Sequence, residues 1–351
     1  MRRALVLARR GWGRTAPNPL VGAVVVRDGM VVGQGWHAEF GGPHAEVVAL
    51  AAAGERARGA DVYVTLEPCA HHGKTAPCTD ALISAGVRRV IFAVADPNPV
   101  AVGGAAKLRA AGIAVTAGVE REAAEELNAP FFFALRDQAR PFVTLKLAVS
   151  LDGALAPGDR TQRWLTGEAA RKQVHRLRAG VDAVAVGIGT ALADDPALTV
   201  RSGRRPRVAP ARVVFDSRGR LPLDSQLVRT AKRVPTWIVG DALLPDASAP
   251  LAKAGVRLLA AAGLPAQLRA LRDAGVSHLM VEGGAHLAGA LLGGGFVDRL
   301  VIFQAPVLLG AGALPAFGVV SHGMGAPMQW RVIERREFGD DLMTTYAPAG
   351  R

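Results

Sequence analysis

Two stretches decide the fold of the N-terminal half: Pro43-His44-Ala45-Glu46, and then Pro68-Cys69-Ala70-His71-His72-Gly73-Lys74-Thr75-Ala76-Pro77-Cys78. The first opens a helix-forming run, from Ala45 to Arg58, and Cys69 follows a β-rich run, from Asp61 to Leu66. Cys78 precedes a predicted helix over Thr79 to Ala85. Alternating helices and strands predict an α/β fold, in which one imidazole and two thiols converge.

This ligand set is typical of catalytic zinc. Zn²⁺ accepts imidazole nitrogen and thiolate sulfur in a tetrahedral site, and three protein ligands leave the fourth position open. We therefore expect His44, Cys69 and Cys78 to bind the metal, with the helix N-terminus favouring the Cys78 thiolate. Glu46 is two residues from His44 and can approach without binding the ion. It is expected to carry a proton from the attacking water to a leaving amine.

Taken singly, His44 is better interpreted as a helix-start residue and the cysteines as ordinary buried thiols. Together, His-x-Glu followed by two Pro-Cys pairs match the pattern of zinc deaminases that act on amino-substituted heterocycles. Eight residues separate Cys69 from Cys78, where the common pattern has two. The insert brings His71, His72 and Lys74 to the mouth of the site. They either hold a phosphorylated substrate or form a solvated loop, and both interpretations stay open.

Length and composition set further limits. A chain of 351 residues, half of them hydrophobic and 21% charged, predicts two compact units. We find no apolar run near the roughly 18 residues needed to span a bilayer, and Met1 to Arg10 is too short for a signal peptide. We expect it to be a helix on the domain surface. Two cysteines fit a reducing compartment, which favours the cytoplasm. The net charge of +12 suggests anionic partners, although part of the arginine excess reads as compositional bias.

The remaining pattern predicts the domain organisation. Asp28-Gly29 predicts a hairpin turn between the strands Leu20 to Val26 and Met30 to Gly35. A polar stretch from Arg136 to Pro141 places the boundary between a domain of residues 1–140 and one of residues 141–351. In the first domain, the other predicted strands are Arg89 to Val94 and Ile113 to Ala117, and the other predicted helices are Ala105 to Ala111 and Arg121 to Leu135. In the second domain, the predicted strands are Phe142 to Ala148, Ala183 to Gly187, Arg212 to Asp216, Thr236 to Gly240, His278 to Glu282 and Arg299 to Gln304, and the predicted helices are Glu168 to Arg178 and Ala285 to Leu292.

A family resemblance extends these inferences over nearly the whole chain. The stretch from Thr15 to Gly22, His44-Ala45-Glu46 and the long insert between the cysteines resemble the riboflavin-biosynthesis deaminases. Lys146 to Gly153, Ala193 to Arg201 and Val281 to Gly284 resemble their fused reductase. The resemblance implies a cytidine-deaminase-like three-layer domain followed by a dihydrofolate-reductase-like domain. A full Gly-x-Gly-x-x-Gly loop, the mark of the classical dinucleotide fold, is absent after an early strand of the second domain.

The resemblance also implies the chemistry and the partners. The first half would remove the 2-amino group of 2,5-diamino-6-(5-phosphoribosylamino)pyrimidin-4-one, and the second would reduce the ribosyl chain to ribityl with NADPH. The cofactors are then Zn²⁺ and NADPH. The partner is a phosphorylated pyrimidine, with neither nucleic acid nor membrane, and the chain is expected to form a homo-oligomer.

Residue roles follow from the same resemblance. Lys146 and Glu282 are candidates for polarising or protonating the reacting centre. The family has Ser or Thr just before the Trp, where this chain has Gln162-Arg163-Trp164. The remaining implied contacts are, for the deaminase substrate, Asn18, His37 and Lys74; for the reductase substrate, Gln162, Arg178, Leu198, Arg201 and Glu282; and for NADPH, Ala148, Trp164, Thr190, Asp194, Ser217, Gly284, Ala285, His286, Leu287, Ala288, Gly289 and Ala290. Gly283-Gly284 alone is weak evidence for binding of the cofactor phosphates, because any strand-to-helix turn can contain such a pair.

Two rival hypotheses remain. A deaminase of RNA or free bases with a decayed second domain would edit nucleic acid and would not oxidise NADPH. A non-catalytic nucleic-acid binder would need basic residues interleaved with stacking aromatics, whereas aromatics are only 5% of the chain. Metal analysis separates this binder from either enzyme, because a binder has no reason to retain about one zinc ion per chain.

Overall fold

The structure is a computed structural model that describes residues 1–71, 76–98, 103–158, 164–243, 245–317 and 328–350. It divides into two compact units, Met1–Arg136 and Asp137–Arg351. No helix within these ranges is long and apolar enough to cross a bilayer. The first unit contains the strands β1 (Gly22–Arg27), β2 (Met30–Trp36), β3 (Asp61–Leu66), β4 (Arg89–Val94) and β5 (Ala114–Ala117), and the helices α1 (Arg2–Ala8), α2 (Ala45–Ala53), α3 (Cys78–Ser84), α4 (Gly104–Ala110), α5 (Arg121–Leu127) and α6 (Ala129–Arg136).

The first unit is built on one sheet with the strand order β2-β1-β3-β4-β5. β1 is antiparallel to β2 and β3, whereas β3, β4 and β5 are parallel. Asp28 and Gly29 both have positive φ, at 50° and 76°, as the predicted hairpin turn requires. α2 lies very close to β2, because a Cβ built on Gly35 would stand 2.6 Å from the Ala45 carbonyl oxygen. The start of α2, which bears the His-x-Glu motif, is thereby held against the sheet.

Helices cover both faces of this sheet. Buried residues of α2, α3 and α4 pack with inward residues of β1, β3 and β4 on one face. Residues of α1, α5 and α6 pack on the other. The predicted three-layer α/β fold of this domain is confirmed.

Two expectations for this unit were wrong, and the structure shows the cause of each. The predicted helix from Arg121 to Leu135 is two helices, broken at Asn128, whose side chain accepts from the Leu20 amide at 2.8 Å and donates to its carbonyl at 2.9 Å. The helix from Ala45 ends early, because Gly54 takes a positive φ of 56°. The expected helix on the domain surface is confirmed as α1, whose face with Ala4, Leu5, Leu7 and Ala8 is buried.

The second unit contains a nine-stranded sheet with the order β11-β10-β9-β8-β12-β6-β13-β16-β15. It is parallel from β11 to β13, and the last two strands are antiparallel. Two buried clusters pack against it. Its elements are β6 (Phe142–Val149), β7 (Ala154–Ala156), β8 (Ala183–Gly187), β9 (Ala211–Phe215), β10 (Thr236–Gly240), β11 (Arg257–Ala260), β12 (His278–Glu282), β13 (Arg299–Gln304), β14 (Leu314–Pro315), β15 (Trp330–Phe338) and β16 (Asp341–Pro348), with α7 (Glu168–Arg178), α8 (Ile188–Asp194), α9 (Gln226–Arg229), α10 (Pro245–Lys253), α11 (Gly263–Asp273) and α12 (Ala285–Gly293).

The α/β class predicted for this half is confirmed, and its buried parallel strands were located closely. The terminal hairpin of β15 and β16 was not predicted. Every residue of β15 is partly or fully exposed. The strand therefore shows no clear alternation of apolar and polar residues in the sequence.

Candidate active sites

The three proposed metal ligands come together at the start of two helices. His44 immediately precedes α2, Cys69 lies in the loop after β3, and Cys78 is the first residue of α3. His44 Nδ1 lies 3.1 Å from Cys78 Sγ and 3.6 Å from Cys69 Sγ. The three ligand atoms all lie within 4.8 Å of one another.

This spacing fits a tetrahedral zinc ion. With Zn–N and Zn–S bonds of about 2.05 and 2.3 Å, a tetrahedral angle separates the nitrogen from each sulfur by about 3.6 Å. The observed separations of 3.1 and 3.6 Å are close to this value. The donor set of one imidazole and two thiols also matches the preference of Zn²⁺.

The electrostatics of the cluster favour anionic sulfur and a proton-carrying carboxyl group. A hydrogen bond from Cys78 lowers the pKa of the Cys69 thiol to about 4, while the same bond and burial raise the pKa of Cys78. Two thiols that share a proton in this way both become thiolates only when a cation replaces it. Glu46 is only 3% exposed, and burial raises the pKa of its carboxyl group.

The cluster lies at the wall of a cavity of about 260 Å³, which Asn18, His37 and Glu46 also line. Asn18 Nδ2 lies 3.2 Å from His37 Nε2, and His37 Nδ1 lies 3.1 Å from the Pro43 carbonyl oxygen. Since a carbonyl only accepts, Nδ1 carries the proton and Nε2 accepts from Asn18. Burial lowers the pKa of His37, which favours this neutral tautomer.

Other polar residues of the cavity were missed from the sequence. Glu67, Asp96 and Asn98 line it. Glu67 precedes Pro68-Cys69, and Asp96 follows β4, the parallel neighbour of β3. The rule that polar groups gather beyond the carboxyl ends of adjacent parallel strands would have found them. His71 also lines the cavity, whereas His72 and Lys74 lie outside the described residues.

A second group of functional candidates, three charged side chains, lies at the sheet of the second unit. Lys146 on β6 and Glu282 on β12 stand opposite each other in the parallel register. Glu282 accepts two hydrogen bonds from Arg178, from Nε at 2.5 Å and from Nη2 at 2.8 Å. Both side chains are about nine-tenths buried. The structure thus brings together three residues that are far apart in the sequence.

The charges of this constellation are coupled. Burial lowers the pKa of the Lys146 ammonium, Glu282 opposes that shift and Arg178 adds to it. Burial alone would raise the pKa of Glu282, but Arg178 and Lys146 keep it below its ordinary value. The site therefore contains a stable carboxylate beside an amine that releases its proton more readily than an exposed lysine does.

The predicted substrate residues Leu198 and Arg201 lie on one loop beside α7. Arg178 Nη1 donates to the Thr199 carbonyl at 2.9 Å. Leu198 is buried, at 4% exposure, and the Arg201 side chain is exposed. Gln162 lies outside the described residues.

The residues proposed for NADPH gather at the carboxyl ends of β9, β8, β12 and β6, which are adjacent in the sheet. This edge is where α/β sheets bind ligands. Ser217 follows β9, Thr190 and Asp194 lie on α8 after β8, Ala148 lies near the end of β6, and Gly284 precedes α12. A Cβ on Gly284 would stand 2.9 Å from Thr190 Oγ1, so this turn passes very close to α8.

Not every side chain in this set faces outward. Ala285, Ala288 and Gly289 are buried, so α12 offers a ligand chiefly the amides of its first turn. His286 and Ala290 are exposed and Leu287 is half-buried. Trp164 is 54% exposed, with the Arg171 guanidinium 5.5 Å from its ring centre.

Comparisons with known proteins agree with this division. Residues 1–94 match the cytidine and deoxycytidylate deaminase zinc-binding region, and residues 141–344 match the RibD C-terminal domain. The riboflavin biosynthesis protein RibD of Aquifex aeolicus is 43% identical over 347 residues, which cover 98% of this chain and 96% of that protein.

Solved structures show the same similarity. A structure of Acinetobacter baumannii RibD is 38% identical with a TM-score of 0.82. A diaminohydroxyphosphoribosylaminopyrimidine deaminase/5-amino-6-(5-phosphoribosylamino)uracil reductase from Thermotoga maritima is 34% identical with a TM-score of 0.84. Each alignment covers 99% of this chain and 97% of the other.

A deaminase unit with a zinc-type ligand cluster, joined to a reductase unit, defines a bifunctional deaminase–reductase. The expected cofactors, Zn²⁺ and NADPH, fit these two domain types. The chain belongs to the RibD family of riboflavin biosynthesis enzymes.

Proposed function

We propose that residues 1–140 deaminate 2,5-diamino-6-(5-phosphoribosylamino)pyrimidin-4-one, and that residues 141–351 reduce the ribosyl side chain of the product to ribityl with NADPH. The observation that carries the first half is the gathering of His44, Cys69 and Cys78 at one cavity with a buried Glu46. The name of the similar Thermotoga maritima protein, a diaminohydroxyphosphoribosylaminopyrimidine deaminase, supports the choice of substrate.

In the deaminase site, His44 and the two cysteines would hold Zn²⁺, which supplies a Lewis acid that activates water when it is bound. Glu46 takes the proton of the attacking water and delivers it to the departing amino group. Its buried, raised pKa suits both transfers, because a carboxyl group whose pKa is nearer neutrality accepts and releases protons readily. Ammonia leaves and a ring carbonyl remains.

Asn18 and His37 orient the pyrimidine. Because His37 holds one Asn18 N–H, the amide is fixed with its carbonyl oxygen and its second N–H available to the ring. One acceptor beside one donor suits the edge of an aminopyrimidinone. Lys74 and Gln162 are proposed to contact the substrates of the first and second halves, respectively.

In the reductase site, reduction adds a hydride to C1′ of the opened sugar and a proton to the nitrogen attached to it. NADPH supplies the hydride when it is bound, held by the first-turn amides of α12 together with Ala148, Trp164, Thr190, Asp194 and Ser217. Lys146 is the proposed proton donor, since burial lowers its pKa. Glu282 keeps Lys146 oriented, and Arg178, Leu198 and Arg201 hold the substrate.

We further propose that the enzyme is a cytoplasmic homo-oligomer that acts on the free phosphorylated pyrimidine and binds no nucleic acid. The size of the first cavity, about 260 Å³, supports a small substrate. Light scattering of the purified protein measures the oligomeric state, and a monomer at micromolar concentration would contradict this part of the proposal.

The proposed function is tested by coupled turnover. Purified protein receives the phosphoribosylaminopyrimidine, zinc and NADPH, and ammonia is measured together with NADPH absorbance. We expect one ammonia and one oxidised NADPH per substrate. Without ammonia release at saturating zinc the deaminase assignment fails, and without NADPH oxidation on the deaminated substrate the reductase assignment fails.

A further inference from the structure

The loop that carries two proposed substrate residues has a constrained backbone. In this substrate loop, Asp195 to Arg201, Asp195 and Leu198 have positive φ values of 38° and 49°. Residues with a Cβ rarely adopt this region, and they hold it only where surrounding contacts impose it. Part of the constraint is the burial of the Leu198 side chain. At its N-terminal end, Asp195 is paired with Gln226, whose backbone amide donates to Oδ1 at 2.7 Å.

Helix α7 contacts the other end of the loop. The Arg201 backbone amide donates to His175 Nδ1 at 3.4 Å, and Arg178 Nη1 donates to the Thr199 carbonyl at 2.9 Å. His175 and Arg178 are three residues apart and therefore share one face of the helix. Arg178 also binds Glu282, so this face of α7 connects the loop to the charged residues proposed for the reaction, Lys146 and Glu282.

The contact at Arg201 depends on the charge of His175. An imidazole nitrogen accepts a hydrogen bond only when the ring is neutral, because both nitrogens carry protons in the cation. The charged groups that face the ring are Arg178 on its own helix, Arg201 on the loop and Glu282 on β12. Burial lowers the pKa of His175, and the positive charges of Arg178 and Arg201 lower it further. Glu282 and the Thr199 carbonyl oppose this shift. The ring is therefore neutral near pH 7.

We propose that His175 is a positioning residue of the reductase, whose neutral ring holds the substrate loop so that Leu198 and Arg201 meet the phosphorylated substrate. Protonation removes the acceptor for the Arg201 amide, so the loop loses its contact at Arg201 while Thr199 stays bound to Arg178. Binding of the reductase substrate then weakens as the pH falls. This role rests on the proposed reduction, and it concerns substrate binding more than hydride transfer.

The test compares the wild type with His175→Asn and His175→Leu. KM for the deaminated substrate and kcat are measured at saturating NADPH between pH 5.5 and 8. His175→Leu loses the acceptor, and we expect KM to rise roughly fivefold at pH 8, the effect of one hydrogen bond, with kcat within about twofold. His175→Asn retains a short acceptor that does not titrate, so KM should be near the wild-type value at pH 8 and rise less below pH 6.5.

Comparison with His175→Asn is needed because the substrate phosphate itself titrates near pH 6 and affects all three proteins alike. Ammonia release by the first unit serves as the internal control and should be equal in all three. Equal KM values for wild type and His175→Leu, or superimposable pH profiles for wild type and His175→Asn, would overturn the proposal. If His175→Leu does not fold, the Asn profile alone decides. A wild type that oxidises no NADPH refutes the proposed function itself.

Discussion

Replacing Glu46 by glutamine removes one buried carboxyl group and keeps the shape of the cavity. Glu46 is only 3% exposed, and burial raises the pKa of its carboxyl group. The amide that replaces it neither accepts the proton of the attacking water nor returns it to the amine. Loss of a positioned acid–base group lowers the rate on the order of 10²- to 10⁴-fold, which corresponds to about 2.7–5.5 kcal/mol in the barrier.

Three assays isolate this effect. Ammonia release should fall by at least the lower figure, while zinc content stays near one ion per chain because His44, Cys69 and Cys78 are unchanged. NADPH oxidation on the deaminated substrate should match the wild type. Glu55→Gln is the matched control, since it removes the same charge from an exposed position just beyond the same helix. Deamination within about tenfold of the wild type, or a parallel loss of both activities, would refute the proposed role.

Three further outcomes are expected. Chelation of zinc should abolish ammonia release and lower the melting temperature of the first unit, because the thiols lose the cation between them. Calorimetry with and without the chelator measures the melting temperature, and an unchanged value would count against the metal site. Arg201→Ala should raise KM for the reductase substrate about tenfold or more, because one charge-assisted contact is lost. Ammonia release should not change, and an unaltered KM would show that Arg201 does not bind the substrate. Burial, followed by Arg299, lowers the pKa of His278 to about 3, whereas the unfolded imidazole binds a proton below about 6.5. The free energy of unfolding should therefore fall as the pH drops from 6.5 towards 3. In urea titrations across this range, its dependence on pH should be smaller for His278→Gln by the contribution of one proton. The same pH dependence in both proteins would contradict the burial argument.

Much of the chemistry could be predicted from local sequence. A His-x-Glu pair at a helix start and two Pro-Cys pairs at element ends are short patterns, and the residue types themselves limit the metal and the reaction. Asp28-Gly29 predicted its turn because few other pairs tolerate two positive φ values. The strands Thr236–Gly240 and His278–Glu282 were found in full, since buried parallel strands are nearly continuous apolar runs.

Other features depend on partners that are distant in sequence. Asn128 interrupts a run of good helix formers because its amide pairs with the backbone of Leu20, more than a hundred residues earlier. Glu67 and Asp96 join the deaminase cavity because β3 and β4 are parallel neighbours.

The sequence by itself thus determined the α/β class and the residue types of the candidate metal site, with the carboxyl group of Glu46 beside them, since each depends on residues close together in the chain or on their chemical identity. Only the tertiary structure decided that Lys146 faces Glu282, that Arg178 pairs with that carboxylate, and that His175 receives the Arg201 amide. Strand register and helix placement result from packing the whole core, and packing free energy is a sum over contacts that no short stretch of sequence contains.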